Sequence, residues 1–279
     1  MRLIVLLFVA LSAVVQGQWV NYRWQGVPRN KDGTLDLLAK APRASNGKPD
    51  LSGVWHVQAT TMEEWRRIAG PDVGITGTLG MGQDTISKYA TNLFVDLKPE
   101  EVPERPEAAA IRKARLASGI RDNPSSRCLP HGIPLASLLT EVFKMVQTPG
   151  LIVAMYEADN TFRQIYLDSR KVPADAEPTW LGYSAGHWEG DTLVVETSGF
   201  NDKSWLDLAG HSHSEGLHVT ERYRRRDYGH MEMEVTIDDP KMYTRAIKLS
   251  VTQILQPDTD VFEFFCNENE KDRSHLVAK

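Results

Sequence analysis

The chain has 279 residues, of which 41% are hydrophobic, and this allows one large buried core or two small ones. Its formal net charge is −5, and its densest cationic run, over residues 222–226, lies between Glu221 and Asp227. Because nucleic-acid binding depends on clustered positive charge, this composition indicates that nucleic acid is not a partner.

Residues 1–17 have the pattern of a secretory signal peptide. Arg2 precedes an apolar run over residues 3–15 that is too short to span a bilayer comfortably. Val15 and Gly17 fit the small-residue rule for cleavage after Gly17. No later stretch is long and apolar enough to cross a membrane. We therefore expect a soluble periplasmic or secreted protein with no membrane span in the mature chain, and the oligomeric state is left open.

The chain has two cysteines, Cys128 and Cys266. Export to an oxidising compartment favours a disulfide between them, and two unpaired buried thiols are the alternative. The bridge would join the segment before the barrel to the last strand. Because it closes a long loop, chain entropy gives it about 3–5 kcal/mol of stabilisation.

The first half of the mature chain is mostly irregular or helical. Residues 18–49 contain scattered aromatic and proline residues, which predicts an irregular arm that wraps the domain. Residues 60–125 read as a helical or irregular insertion, in which Thr60 or Thr61 can cap a first helix and Pro106 suits the first turn of a later one. The glycines here lack phosphate-loop spacing, so a nucleotide site is not indicated.

From residue 142 onward the sequence has the two-residue period of strands joined by short turns. Glu189-Gly190-Asp191 is a good hairpin signal of this kind. We predict a mainly β fold over residues 50–279: an antiparallel meander that closes into a lipocalin-like β-barrel, with a two-sheet sandwich as the alternative. The predicted strands cover 143–147, 151–157, 162–168, 180–187, 192–197, 217–226, 230–237, 247–255 and 261–266.

The candidate site lies in residues 182–218, which contain four of the eight histidines. In an extended backbone His211 and His213 point to the same side, as two ligands of one metal ion need, and His187 is a possible third ligand. With a carboxylate such as Asp207, an open site of this kind could activate water or polarise a carbonyl. The cofactor is left open, with a divalent metal as the candidate and an exposed polar loop as the simpler interpretation.

The same residues also allow metal-free chemistry. A histidine in a partly apolar pocket can transfer protons near neutral pH when Asp207 or Asp202 orients it. Trp188 and Trp205 could form the walls of a site for a planar or sugar-like ligand. The alternative is that both tryptophans belong to the core, which is the commoner place for a large aromatic side chain.

Two strands carry further candidates. Arg163 and Tyr166 lie on one predicted strand, and an arginine inside a barrel would suit an anionic group on a ligand. A solvated strand face is the simpler interpretation. Glu221 falls on the apolar side of its strand with Leu217 and Val219, and a buried carboxyl group could act as a general acid or base. Its simpler interpretation is a salt bridge to a neighbouring arginine.

Gly53-Val54-Trp55 resembles the signature that opens the first strand of lipocalin-like barrels, where the tryptophan plugs the closed end. Longer runs, from Pro49 onward, resemble a group of exported proteins common in soil bacteria. This resemblance implies a periplasmic or secreted bacterial protein and carries no activity. The runs are CLPHGIP at 128–134, residues 178–207, AGHSHSE at 209–215, residues 221–240 and CNENEKD at 266–272.

Three hypotheses follow. The first is an exported enzyme (a lyase, isomerase or hydrolase) that acts on a small organic or carbohydrate-like molecule at the barrel mouth. It predicts polar residues converging in one cavity. The second is a lipocalin-like carrier, which predicts an apolar cavity with the histidines outside it. The third is an interaction module of the cell envelope, which predicts an exposed apolar patch and no cavity.

Overall fold

The computed structural model describes residues 24–69, 86–119, 121–171 and 175–266. The expected signal peptide, at residues 1–17, and the polar tail after Cys266 lie outside these ranges.

Within the described residues, nine strands form one closed barrel, in which β9 returns to pair with β1. The prediction of a mainly β barrel is confirmed, and the two-sheet sandwich is wrong. The strands are β1 Gly53–Val57, β2 Phe143–Gln147, β3 Leu151–Tyr156, β4 Thr161–Tyr166, β5 Tyr183–Glu189, β6 Thr192–Ser198, β7 His218–Arg225, β8 His230–Asp238 and β9 Ile247–Leu255.

The alternation of apolar and polar side chains positions each strand, and β8 shows it most clearly. One set of its side chains is buried in the barrel core, and the residues between them face outward in part. A shift of one residue in register would move every buried side chain to the other face, so this pattern fixes the pairing. The buried set is Met231, Met233, Val235 and Ile237.

One pair of strands departs from the antiparallel meander that the sequence predicts. β4 and β5 are parallel and pair only through Ile165 with Ser184 and Tyr166 with Ala185. The reason is the long connection over residues 167–182, which carries the chain back to the end at which β4 began. We call this short parallel contact the seam of the barrel.

The predicted last strand over residues 261–266 is wrong. That segment has no strand structure, because the free edge of β9 is already occupied by β1. Residues 261–266 instead lie along the turn between β3 and β4. The backbone N–H of Phe264 donates to the Asn160 side chain at 2.8 Å, and that of Phe262 donates to Glu157 at 3.0 Å.

The described residues between β1 and β2 include three α-helices: α1 Met62–Ala69, α2 Lys88–Thr91 and α3 Pro106–Ala117. Thr61 caps α1 by accepting a hydrogen bond from the backbone of Glu64 at 3.2 Å. Proline begins α3, where its missing N–H costs no helical hydrogen bond. Buried residues of this region, such as Phe94, join the core cluster of the barrel.

Trp55 is fully buried near the end of the barrel where β1 begins. Its indole N–H donates to the carbonyl of Leu51 at 2.9 Å, and the guanidinium of Arg225 lies 4.9 Å from its ring centroid. Gly53 is needed beside it, because its φ is 142° and a Cβ there would lie 2.4 Å from Leu255 Cδ1.

The irregular segment ahead of β1 packs on the turn between β7 and β8. The backbone N–H groups of Tyr228 and Gly229 donate to the carbonyls of Ala39 and Leu37 at 2.7 and 2.8 Å. Arg29 forms an ion pair with Asp258 at 2.7 Å. No helix in the described ranges combines the length and apolar character that a bilayer crossing requires.

Cys128 and Cys266 form a disulfide with a Cα–Cα distance of 5.5 Å, as the sequence predicts. Cys266 lies in the segment after β9 and not in a strand. The bridge joins residues separated by 138 positions and therefore restricts the unfolded chain strongly.

We expect the Cys128→Ser/Cys266→Ser double variant to lose about 3–5 kcal/mol of unfolding free energy, because the unfolded chain regains the entropy of an open loop. Urea unfolding followed by circular dichroism measures this, with the native spectrum as the control for an intact barrel. An unchanged midpoint would mean that the hydrogen bonds at Asn160 and Glu157 hold the segment without the bridge.

Candidate functional site

Most titratable side chains of the predicted site lie in the loop between β6 and β7, residues 199–217. The loop lies against the protein interior. The relative exposure is 0% for Asp207 and 2% for both His211 and His213. The structure therefore brings these three residues into one loop but buries them.

Asp207 holds His211 in place. The distance from Asp207 Oδ2 to His211 Nδ1 is 2.6 Å, and the carboxylate also accepts the backbone N–H groups of His211 at 3.1 Å and Leu93 at 2.8 Å. On the other side of the ring, His211 Nε2 lies 3.8 Å from Glu104, which Arg112 pairs at 2.8 Å. These contacts join the loop to the helical region between β1 and β2.

His213 forms a second buried pair, with Ser204. Its Nδ1 lies 3.1 Å from the carbonyl of Ser214, so Nδ1 carries the hydrogen and Nε2 accepts the Ser204 hydroxyl at 2.7 Å. Burial lowers the pKa of His213, which favours this neutral form. A hydroxyl donating to a neutral imidazole is the arrangement of an activated serine, but both side chains are only 2% exposed.

The Ser204–His213 pair also supports the chain on either side of it. A Cβ on Gly132 would lie 2.2 Å from Ser204 Oγ, so only glycine fits there. Asp239 accepts hydrogen bonds from the backbone and the hydroxyl of Ser214 at 2.6 and 2.9 Å. These hydrogen bonds together hold the loop between β6 and β7 in one conformation.

His187 does not join the other histidines. It lies on the outer face of β5, with a side chain that is 55% exposed, and its Nε2 is 3.3 Å from Glu189. Among the described residues, no group of three or more histidine, cysteine, aspartate or glutamate side chains has a geometry that could hold a metal ion. The structure therefore does not bring His187 to His211 and His213, because side chains of a strand alternate between its two faces and His187 lies on the outer one.

The two tryptophans do not form the walls of a common cavity. Trp205 is 3% exposed, and the guanidinium of Arg115 lies 4.6 Å from its ring centroid. Trp188 is partly buried and packs against the core cluster. Both belong to the packed interior, as the simpler interpretation of the sequence had it.

The barrel interior contains a buried ion pair between Arg163 and Glu221, which are 2% and 0% exposed. Arg163 also donates to Ser184 at 2.7 Å and to Thr197 at 2.6 Å, while the hydroxyl of Tyr223 donates to Glu221 at 2.8 Å. Burial lowers the pKa of Arg163, but the negative charge of Glu221 has the larger net effect together with its other neighbours. The pKa of Arg163 is therefore raised above its usual value. The solvated-face interpretation of Arg163 is wrong.

Arg163 also borders a cleft of about 430 Å³ at the seam, which we call the seam cleft. Because β4 and β5 pair through only two residue pairs, the start of β4 is uncovered on this side. The exposed surface of the cleft is mainly apolar, although polar residues such as Gln164 and Ser184 also line it. Its aromatic side chains are Phe162, Tyr166, Trp180 and Tyr183.

A further pair of residues was missed by the sequence analysis. His131 Nδ1 lies 2.6 Å from Asp159 Oδ2, and both side chains line a cleft of about 230 Å³ next to the disulfide, which we call the disulfide cleft. The two residues are 28 positions apart. The available local signal was Asp159-Asn160, which the sequence marks only as a turn.

No protein-family model matches the sequence, and the search of curated proteins gives no match. Among solved structures, the chain is similar to a mutant of the fluorescent protein UnaG, at 12% sequence identity and a TM-score of 0.25. The similarity covers 49% of this chain and 87% of that chain. A TM-score this low carries no argument about ligand or activity.

We expect Arg163→Met and Glu221→Leu each to lower the unfolding free energy by about 3–5 kcal/mol, because each leaves one buried charge unpaired. The double variant should lose much less than the sum of the two. Urea unfolding in a double-mutant cycle measures the coupling. Additive losses would contradict a direct ion pair.

The lowered pKa of His213 predicts a pH dependence of stability. The unfolded imidazole, with a pKa of about 6.5, binds a proton at a higher pH than the folded one, so unfolding takes up a proton as the pH falls below about 6.5. This group should lower the unfolding free energy by up to ~1.4 kcal/mol per pH unit. We expect a shallower slope for His213→Asn between pH 5 and 6.5 by urea unfolding, and an unchanged slope would contradict the assignment.

Proposed function

We propose that the protein binds a small, largely apolar molecule in the seam cleft. The observation that carries this proposal is the lining of the cleft, in which Phe162, Trp180 and Tyr183 offer aromatic surface around about 430 Å³. That volume falls within the roughly 300–1,000 Å³ of sites for small ligands. Phe162 is 64% exposed, so a ligand would cover apolar surface that water now contacts.

The ligand has a polar acceptor group at one end. The partly exposed side chains of Gln164 and Thr179 line the cleft, and their amide and hydroxyl groups can donate hydrogen bonds to that acceptor. Arg170, stacked 3.6 Å from the ring centroid of Tyr166 and paired with Asp168 at 2.9 Å, covers one side of that ring without adding net charge.

Binding has better support than catalysis by the loop between β6 and β7. None of the described histidines lines the seam cleft. Asp207, His211 and His213 are buried and hydrogen-bonded, while a catalytic histidine must reach the proton that it transfers. Histidines outside an apolar cleft are the arrangement that the carrier hypothesis predicts.

A location outside the cytoplasm fits this proposal. The Cys128–Cys266 disulfide supports a periplasmic or secreted protein, since disulfides persist in oxidising compartments. The export signal that the sequence predicts agrees with that location. A binding protein in such a compartment would meet small molecules from the surroundings of the cell.

The test uses 1-anilinonaphthalene-8-sulfonate, an aromatic anion whose fluorescence rises in apolar surroundings. We expect saturable binding to the native protein and a five- to tenfold weaker affinity, roughly, for Phe162→Ala, because the contact surface of one aromatic ring is lost. Fluorescence titration at constant salt measures both dissociation constants.

Phe265→Ala is the matched control, because Phe265 is 57% exposed and does not line the seam cleft. It should bind the probe with native affinity. Equal losses in the two variants would indicate adsorption to exposed phenylalanines, and native affinity in Phe162→Ala would rule out the seam cleft as the site.

A further inference from the structure

The pair formed by His131 and Asp159 has the geometry of a general base and its orienting carboxylate. Asp159 Oδ2 accepts both the backbone N–H of His131 at 2.8 Å and the Nδ1–H at 2.6 Å. With the hydrogen on Nδ1, the lone pair is on Nε2. No described residue makes a hydrogen bond to that Nε2.

Asp159 occupies an unusual backbone position. Its φ is 65°, in the left-handed region that non-glycine residues rarely adopt, within the turn Ala158–Asn160 between β3 and β4. Aspartate and asparagine tolerate this region best. Strained positions of this kind persist where surrounding structure holds them, and they concentrate at functional sites. Here the conformation brings the carboxylate to His131.

The disulfide cleft supplies the environment that a base needs. His131 and Asp159 keep 12% and 9% of their side-chain surface exposed, in contrast to the loop histidines. Apolar side chains, including Leu139, Leu208 and Phe264, line the same cleft. Its volume of about 230 Å³ restricts it to a molecule smaller than most drug-sized ligands.

A second histidine–aspartate pair shows which feature matters. His230 and Asp227 have the same contacts, with 2.6 Å from Asp227 Oδ1 to Nδ1 and 2.8 Å to the backbone nitrogen of His230. That pair stabilises the turn between β7 and β8, and His230 does not line the disulfide cleft. The hydrogen bonds alone are therefore a turn motif. The cleft in front of His131 is what distinguishes the two pairs.

We propose that the disulfide cleft is an acid–base site for a small apolar carbonyl compound, separate from the ligand site at the seam. His131 Nε2 takes a proton from the carbon next to the carbonyl group. The electron pair of the broken C–H bond forms the C=C bond of an enolate, and the π pair of the C=O bond moves to the carbonyl oxygen. Asp159 stabilises the imidazolium. The imidazolium then returns a proton to the same carbon and the C=O bond re-forms, so the hydrogen at this carbon exchanges with solvent without a co-reactant.

The test follows hydrogen exchange at the benzylic carbon of 1-phenylpropan-2-one in D₂O by proton NMR. The native protein should exchange this position faster than buffer, with saturation in ketone. His131→Ala should lower the rate at least ~100-fold toward the buffer value, within the contribution typical of a positioned general base. Exchange by His131→Ala at the native rate, or native exchange no faster than buffer, overturns the proposal.

His230→Ala is the matched control, and it should exchange at the native rate. An equal loss in that variant would assign the effect to exposed imidazole and overturn the proposal. The Phe162→Ala variant should also keep the native rate, so a failure of the seam cleft to bind its probe is distinguishable from a failure here.

Asp159→Asn tests the positioning role and does not depend on His131→Ala folding, since asparagine also tolerates the left-handed backbone. The titratable side chains that line the cleft are His131, Asp159 and Glu141, and Glu141 also acts electrostatically on His56. We expect Asp159→Asn to lower the maximal exchange rate and to leave the ketone concentration at half-saturation unchanged, because the amide no longer fixes the ring orientation and the hydrogen on Nδ1. A native maximal rate, or a loss that appears only as weaker ketone saturation, would overturn the role of Asp159.

Discussion

The closure of the barrel by β9 on β1 is the constraint on which the rest of the structure depends. It removes both free edges of the sheet, so residues 261–266 have no strand to join and lie along the turn between β3 and β4. Closure around nine strands also leaves one weak point, the parallel seam with two paired residues on each strand. The seam cleft lies at this weak point, and the disulfide cleft lies against residues 261–266.

The two clefts share a wall. Pro130 and Asn160 line the seam cleft, while their neighbours His131 and Asp159 line the disulfide cleft. The loop between β6 and β7 supports this wall from within, because Ser204 packs against Gly132 and Leu208 lines the disulfide cleft. The buried hydrogen bonds of Asp207, His211 and His213 thus fix the position of surfaces that contact solvent. All three side chains are buried and hydrogen-bonded, although their residue types are common in catalytic sites.

The charged side chains inside the barrel are also buried and hydrogen-bonded. Arg163 and Glu221 neutralise each other in surroundings where either alone would be costly, and hydroxyl groups of Ser184, Thr197 and Tyr223 satisfy most of the remaining hydrogen bonds. The exception is Nη1 of Arg163. Among the described residues, the polar network around this ion pair is therefore complete except at this one buried atom.

The sequence by itself determined the features that depend on neighbours in the chain: the two-residue alternation of β8, the Gly190-Asp191 turn, the burial of Trp55 and the disulfide pairing of the two cysteines. It also placed Glu221 on an apolar face. Tertiary structure alone decided which distant residues meet, such as Arg163 with Glu221 and His131 with Asp159. It also decided that His187 faces outward and that β4 and β5 run parallel. The physical reason is that local patterns fix the alternation of a strand, whereas the register and direction of pairing between strands decide which side chains share a cavity.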